Sequence, residues 1–568
     1  MNLLKKITAF LVCTLFYSLS FASGPYVPPA KVSHPDGKVT VFLMGDSTMA
    51  EKDLSGGNPE RGWGMMLPNF LDSTVRVINY AQNGRSTKSF IDRGLWKKVM
   101  EGMKAGDYVF VEFGHNDSKK SDTTRYAAPW GAFQDNLRLF VRTALEKGVH
   151  PVLLTPVARR YFDSAGVFND HCHGDYPAAM KQVAKEFGVP LIDMTAKTNE
   201  WLRALGDSAS RQYFMWIPAG TCVACPEGKR DNTHTKANGA RKECELVCEG
   251  IGEQLPELAK HLVKYDIVVS QDGHGDYMTV QEAVNAVPDY AHNHITRIFI
   301  HNGVYHERVT IPHNKFRIFI QGESEDGTII TYGRAATQLW EEGYPVGTSG
   351  SATMYIHSDY VTLQDLTVEN SAGDGHKVGQ AVAVHVHGSK IFFNRCRFLG
   401  NQDTFYAYGK DNKFYVKDCY IEGTTDFIFG FSQALFENCE IHSKDNSFVT
   451  AASTLPGREY GFVFKDCRLT AGPGVTRCYL GRPWKHGAQS VFINCWLGPH
   501  IRPEGWSKWN DTDNHKYAYF AEYGSYGPGA SPETRAGWSH QLGKKDLEKY
   551  TYEKLVTGDD GWDPYDNR

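Results

Sequence analysis

The chain has 568 residues, too many for one ordinary hydrophobic core and enough for two to four domains. Hydrophobic residues make up 41% and charged residues 22%, which excludes a disordered chain. The net charge is −4 and no dense basic run is present, so the composition argues against a nucleic-acid partner.

The first residues carry Lys5 and Lys6, then an apolar run from Ile7 to Phe21, then Ser20-Phe21-Ala22 with small residues flanking the last position. This reads as a signal peptide over 1–22, cleaved after Ala22, and predicts export or periplasmic delivery. No later stretch reaches the roughly 18 apolar residues of a membrane span. After a Pro-rich lead, strands are predicted at Lys38–Met44, Asp107–Phe113, Pro151–Leu154 and Val189–Met194. Helical patterns lie between them at Gln134–Lys147 and Ala178–Phe187, and a closing helix is predicted at Glu243–Val263. Such alternation predicts an α/β domain over 38–260, a parallel sheet flanked by helices. Its site should lie at the strands' carboxyl ends.

Those ends carry a set of polar residues. Ser47 lies in Gly45-Asp46-Ser47-Thr48, Gly84 in Gln82-Asn83-Gly84-Arg85, Asn116 in Gly114-His115-Asn116-Asp117, and Asp231 and His234 in Asp231-Asn232-Thr233-His234. A serine nucleophile needs a base within hydrogen-bond reach, oriented by a carboxylate. Asp231 and His234, three apart on one turn, supply both. The amides of Ser47 and Gly84 with the Asn116 side chain suit an oxyanion hole. Taken in order, these four blocks resemble an SGNH (GDSL-type) esterase of the rhamnogalacturonan acetylesterase branch, with Thr48 where many relatives carry Leu. The resemblance implies deacetylation of a pectic sugar with Ser47 as nucleophile. A lipid or thioester hydrolase of the same fold is the rival reading. Cys222, Cys225, Cys244 and Cys248 bracket the Asp231/His234 loop with zinc-ribbon-like spacing. In an oxidising compartment two disulfides are favoured there over a structural metal or free thiols.

The second domain is predicted over 265–568. Thr279–Val287 reads as a short helix with a Thr cap. Short strands follow at Arg297–His301, Phe316–Gln321, Thr353–His357, Val361–Glu369, Val382–Val386 and Ile391–Phe393. Then comes a ladder of look-alike cysteines: Cys396, Cys419, Cys439, Cys467 and Cys495, at steps of 23, 20, 28 and 28 residues. A repeat of this length predicts an all-β, right-handed parallel β-helix whose coils stack on one another, with the thiols as buried core. The Leu542–Tyr550 stretch of the charged tail is predicted helical.

Two copies of the repeat carry an acid at the same place. Asp403 and Asp426 each fall seven residues past a cysteine, so they should meet across adjacent coils about 4.8 Å apart. Asn446, Gly474 and Arg502 occupy the same place later, so a turn role there competes with a catalytic one. The blocks Gly303–Arg308, Gln380–Ala383, Gln402–Tyr406, Asp426–Gly430 and Leu480–Trp484 together resemble a pectin methylesterase, over about residues 265–545. Thr425 and Phe405 depart from the commoner Val and Leu. The resemblance implies that Asp426, beside Arg482, attacks the ester carbonyl. Asp403 serves as acid and base, Gln402 and Gln380 donate to the oxyanion, and Trp484, Tyr406 and Phe429 line the cleft. An Arg neighbour is expected to favour ionised Asp426, and facing charge to keep Asp403 protonated. Aromatics at 13% of the chain fit sugar-stacking surfaces as well as packing. The partner implied is pectin, with no cofactor and no metal. The rivals are a pectate lyase, a polygalacturonase and a non-catalytic carbohydrate-binding solenoid.

Overall fold

The computed structural model describes residues 38–567 except Ser73, so the signal peptide predicted over 1–22 lies outside the described residues. They form two compact units, the first ending at Leu262 and the second beginning at Val263. Among the described residues no helix is long and apolar enough to cross a membrane.

The first unit is built on five parallel strands: β1 (Val39–Gly45), β2 (Val75–Asn79), β3 (Tyr108–Glu112), β4 (His150–Leu154) and β5 (Leu191–Ile192), in the order β2-β1-β3-β4-β5. Every residue of β3 is buried, because helices cover both faces of the sheet and a continuous apolar run satisfies both. Alternate residues divide between two cores. Val41, Leu43 and Phe110 enter one, and Phe42, Met44 and Val109 the other. Helices α1 (Gln134–Glu146) and α2 (Tyr176–Phe187) close the second face. In α1, Leu137, Phe140, Val141 and Ala144 recur at helical spacing and are all buried.

The closing helix differs from its prediction. It is α3, Ala237–Gln254, followed by a separate turn at Pro256–Ala259. Pro256 drives Leu255 out of the helical region (φ −131, ψ 67), which ends α3 at Gln254, nine residues before Val263. The expected disulfides are also absent, since Cys222, Cys225, Cys244 and Cys248 are all free thiols. Cys244 and Cys248 stand one turn apart on α3, with Cys244 inside the core. Cys222 and Cys225 share a turn whose backbone closes from Cys225 N to Cys222 O at 3.2 Å. The four thiols do not converge on one point, which removes the zinc-ribbon alternative.

Two further strands carry the histidine side of this unit. β6 (Phe214–Ile217) and β7 (Lys229–Lys236) are antiparallel, but their register breaks: Phe214 opposes Thr235 while Trp216 opposes Arg230. Asp231 to His234 therefore bulge out against Met215 alone. The predicted single turn is a bulged strand.

In the second unit, helix α4 (Val280–Ala286) starts at Thr279, whose hydroxyl accepts from Glu282 N, a cap worth about 1 kcal/mol. Its Val280, Ala283 and Val284 join the core under the first coil. Beyond it the chain winds through three parallel sheets of eleven, eight and seven strands. The seven-stranded sheet runs β8 (Val309–Ile311), β9 (Met354–Ile356), β10 (Val384–Val386), β11 (Phe405–Ala407), β12 (Ile428–Gly430), β13 (Phe448–Ala452) and β14 (Tyr479–Pro483), each pairing with the next. This is the parallel β-helix the repeat predicts.

The corners explain the repeat. Val361–Glu369, predicted as one strand, is split into Val361–Gln364 and Thr367–Asn370 by Asp365 at φ 57. The same left-handed backbone recurs at Arg395, Asp418, Asn438, Asp466 and Asn494, the residue before each ladder cysteine. That conformation costs an ordinary side chain about 1–2 kcal/mol, less for Asn and Asp, whose side chains bond locally. All five thiols are buried. Four of them point at a strand carbonyl of the preceding coil, from Cys396 to Leu363 O (3.3 Å) through Cys495 to Phe464 O (3.5 Å). Behind the ladder, Phe436, Phe464 and Phe492 stack ring on ring at 4.6 and 4.4 Å.

The tail forms only a short 3-10 turn, Asp546–Lys549, where a helix is predicted. Tyr550, Leu555, Val556 and Trp562 pack instead against Tyr415, Leu435 and Val463, covering the outer face of the eleven-stranded sheet. Packing against a flat face overrides the helical pattern.

Candidate active sites

In the first unit the order β2-β1-β3 makes a crevice where connections leave β1 in opposite directions, and the predicted residues gather at its carboxyl edge. Ser47 follows β1, Gly84 follows β2 at φ +72, and Asn116 follows β3. Gln82 N donates to Gly45 O (3.2 Å), tying the first two loops together. His234, on the β7 bulge, sets Nε2 2.9 Å from Ser47 Oγ and Nδ1 2.7 Å from Asp231 Oδ2. Asp231 Oδ1 accepts from the amides of Thr233 (2.8 Å) and His234 (3.2 Å). The His234 side chain and these amides hold the Asp231 carboxyl far below the usual range. Asn116 is buried and spends one amide hydrogen on Arg85 O (2.9 Å), which fixes its plane and leaves the second hydrogen free of that bond.

Several supports were not singled out in the sequence. Asn232 Oδ1 accepts from both Arg160 Nη1 and Trp216 Nε1 at 2.8 Å, pinning the bulge that presents Asp231 and His234. Beneath Ser47, Asp46 is buried and accepts from Thr48 N and Oγ1 at 3.0 Å. Glu112 takes Trp63 Nε1 at 2.7 Å and Val157 N at 2.9 Å. Burial and the Asp46 charge push it up to about 8. The sequence signal was weak: an acid closing an apolar strand, in Val109-Phe110-Val111-Glu112.

In the second unit the acid pair meets as the repeat requires. Phe405 pairs with Ile428 and Asp403 N donates to Thr425 O, so Asp403 and Asp426 occupy equivalent places two residues ahead of β11 and β12. Both are left-handed corners, at φ 67 and 51. The turn reading and the catalytic reading thus describe the same residues. Both side chains are buried, with 8% and 6% of their surface exposed, so neither charge is offset by water.

Arg482 separates them. On β14, two coils beyond Asp426, it donates from Nε to Asp426 Oδ1 (3.0 Å) and from Nη2 to Oδ2 (2.6 Å), a bidentate pair. Its guanidinium is sandwiched by the rings of Phe448 and Trp509, 4.0 and 4.1 Å from their centroids. Burial raises both carboxyls. Burial leaves Asp426 raised, while the Arg482 hydrogen bonds and charge pull it down and favour its ionised form as expected. Asp403 goes well above its ordinary value, through burial and then the facing Asp426 charge. Gly481 beside Arg482 is obligatory, since a Cβ there would lie 1.9 Å from Thr450 Oγ1.

Tyr406 and Phe429 stack at 4.1 Å, and Phe429, Trp484 and Trp509 continue the row at 6.2 and 6.3 Å. Gln402 O accepts from Ala381 N (3.0 Å), placing Gln380 and Gln402 on neighbouring coils just ahead of β10 and β11. Phe448 and Trp509 were missed as site residues. Trp509 lies 27 residues past Arg482 in an aromatic-rich tail, and spacing alone does not tell it from packing residues.

Comparisons with known proteins divide the chain the same way. The Pectinesterase family model matches residues 266–559, and the GDSL-like Lipase/Acylhydrolase family model matches residues 43–241. Pectinesterase 31 of Arabidopsis thaliana is 37% identical over 293 residues, 51% of this chain and 91% of the relative. Rhamnogalacturonan acetylesterase RhgT of Bacillus subtilis is 41% identical over 225 residues, 40% of this chain and 94% of the relative. Among solved structures, pectin methylesterase from carrot is 31% identical, covering 52% of this chain and 94% of that one at a TM-score of 0.48. Both families are carboxylic ester hydrolases. The chain belongs to the pectinesterase family through its β-helix and to the GDSL-like acylhydrolases through its α/β unit.

Proposed function

We propose that the chain is an exported bifunctional pectin esterase that removes methyl esters from galacturonan and acetyl groups from the same class of polysaccharide. The observation that carries the reading is the asymmetric acid pair, two register-equivalent buried carboxylates of which Arg482 clamps one. Asp426, ionised in that clamp, attacks the ester carbonyl. Gln402 and Gln380 donate to the oxygen that becomes negative. Asp403 gives its proton to the departing methanol, leaving an acyl-enzyme on Asp426. Asp403, now a carboxylate, takes a proton from water as that water attacks the acyl carbon. This frees the galacturonate carboxylate and Asp426, with Asp403 protonated again. Tyr406, Phe429 and Trp484 hold the sugar against the sheet.

In the α/β unit, Ser47 attacks the acetyl carbonyl as His234 takes its proton, and Asp231 holds the imidazole in orientation. Ser47 N, Gly84 N and the free Asn116 hydrogen face the oxyanion. The signal-peptide pattern of residues 1–22 supports export.

The test is parallel measurement of methanol and acetate released from methylated, acetylated pectin. Both are expected, with no new reducing ends and no unsaturated product. Either chain-scission product in place of methanol would assign the β-helix to a hydrolase or lyase.

The reading also fixes a pH response. Demethylation needs Asp426 ionised and Asp403 protonated, so the rate rises through the lower apparent pKa of the pair and falls through the upper. Arg482 stabilises the anionic form of both acids. Arg482→Gln should therefore move both limbs to higher pH and lower the maximal rate by about a hundredfold. An unmoved profile with an intact fold would remove Arg482 from this role.

A further inference from the structure

The seven-stranded sheet carries a second cluster toward its first coils. His313, His357 and His387 come from three successive coils. His357 directly follows β9, His387 directly follows β10, and His313 lies two residues past β8. Ile311 pairs with Ile356 and Ile356 with Val386, so the three side chains leave the same edge of adjacent strands, and they converge there as a triangle. Their ring centroids are 5.4, 5.7 and 5.8 Å apart, and one nitrogen from each lies within 4.8 Å of the others.

One fact sets this triangle apart from an ordinary cluster of rings. His357 Nδ1 is buried with no hydrogen-bond partner, a state that costs free energy unless something uses the lone pair or the proton. Two residues before His387 on the same strand, His385 is 5% exposed with both ring nitrogens unpartnered.

We propose that His313, His357 and His387 form a binding site for one divalent transition-metal ion of the zinc class. Three nitrogens around tetrahedral zinc stand about 3.4 Å apart at bond lengths of about 2.0–2.1 Å. The observed separations close to that by small side-chain rotations. An all-imidazole set selects zinc, cobalt, nickel or copper over calcium and magnesium, which take oxygen ligands. Three protein ligands leave a fourth position, which faces solvent because His313 is exposed. The ion joins three coils whose ligands lie 44 and 30 residues apart in sequence. It is a brace on the β-helix, away from the acid pair, and it departs from the expectation of no metal.

The test uses the full chain after chelator treatment, titrated with Co(II). One equivalent should develop visible d–d absorption that Zn(II) abolishes by displacement, and Zn(II) should raise the thermal midpoint. His387→Ala and the exposed His313→Ala should lose both responses while methanol release in the absence of metal is unchanged. Because His313 is exposed, its variant tests the site even if His357→Ala fails to fold. A wild-type chain without the cobalt spectrum, or a spectrum that both alanine variants retain, would overturn the proposal.

Discussion

Asp426→Asn should cut methanol release by about ten-thousandfold or more and leave acetate release unchanged. Asparagine keeps the shape of the side chain and tolerates the left-handed corner at φ 51, so the coil persists. What disappears is the charge. The amide cannot form the acyl-enzyme, and Arg482, with 15% of its side chain exposed, is left among aromatic rings without its counter-ion. Breaking a buried pair from one side costs about 3–5 kcal/mol, so thermal stability should fall as activity does. Circular dichroism and methanol release on the same sample separate the two effects. A folded variant with undiminished methanol release would end the assignment of Asp426 as nucleophile.

The second large effect belongs to the other unit. Ser47→Ala should remove acetate release by several orders of magnitude and leave methanol release intact. Ser47 Oγ reaches His234 Nε2 at 2.9 Å, and its loss disturbs no packing, so the fold should be unaffected. The triad acts as a unit, so adding His234→Ala to Ser47→Ala should cost little more. Additive losses would show that serine and histidine do not share one step. Retention of acetate release by Ser47→Ala would place deacetylation elsewhere.

Much of the β-helix was legible because its repeat is written in residue identity. The residue before each ladder cysteine, Asn or Asp in four cases and Arg395 in the first, marks a corner, and the corners fix the register that brings Asp403 to Asp426. What the sequence could not show was how strongly burial opposes the neighbouring charge: Arg482 favours ionised Asp426 as expected, yet burial leaves its carboxyl raised. In the α/β unit the strand-end residues were readable, but the bulge of β7 was not. A four-against-one mismatch depends on the partner strand, and Phe214–Ile217 carries no local mark of it. Trp509 and Asn232 were invisible for the same reason, since each acts through a partner more than 15 residues away. The Cys222 and Cys244 pairs misled because spacing was read as convergence, whereas one pair rides on a helix and the other on a turn.

The left-handed corners that hold Asp403 and Asp426 have a further consequence. The gap between the acids is set by the distance between coils, a constant of β-sheet geometry that no surrounding loop can stretch or close. Chemistry and substrate choice are thereby uncoupled. A rim aromatic such as Trp484 can be exchanged to accept differently decorated polymers while the reacting atoms keep their spacing. Only an inserted or deleted residue between Cys396 and Asp403, or between Cys419 and Asp426, would throw the pair out of step. The scaffold acts as the ruler of the reaction, and selection on specificity is free to work elsewhere.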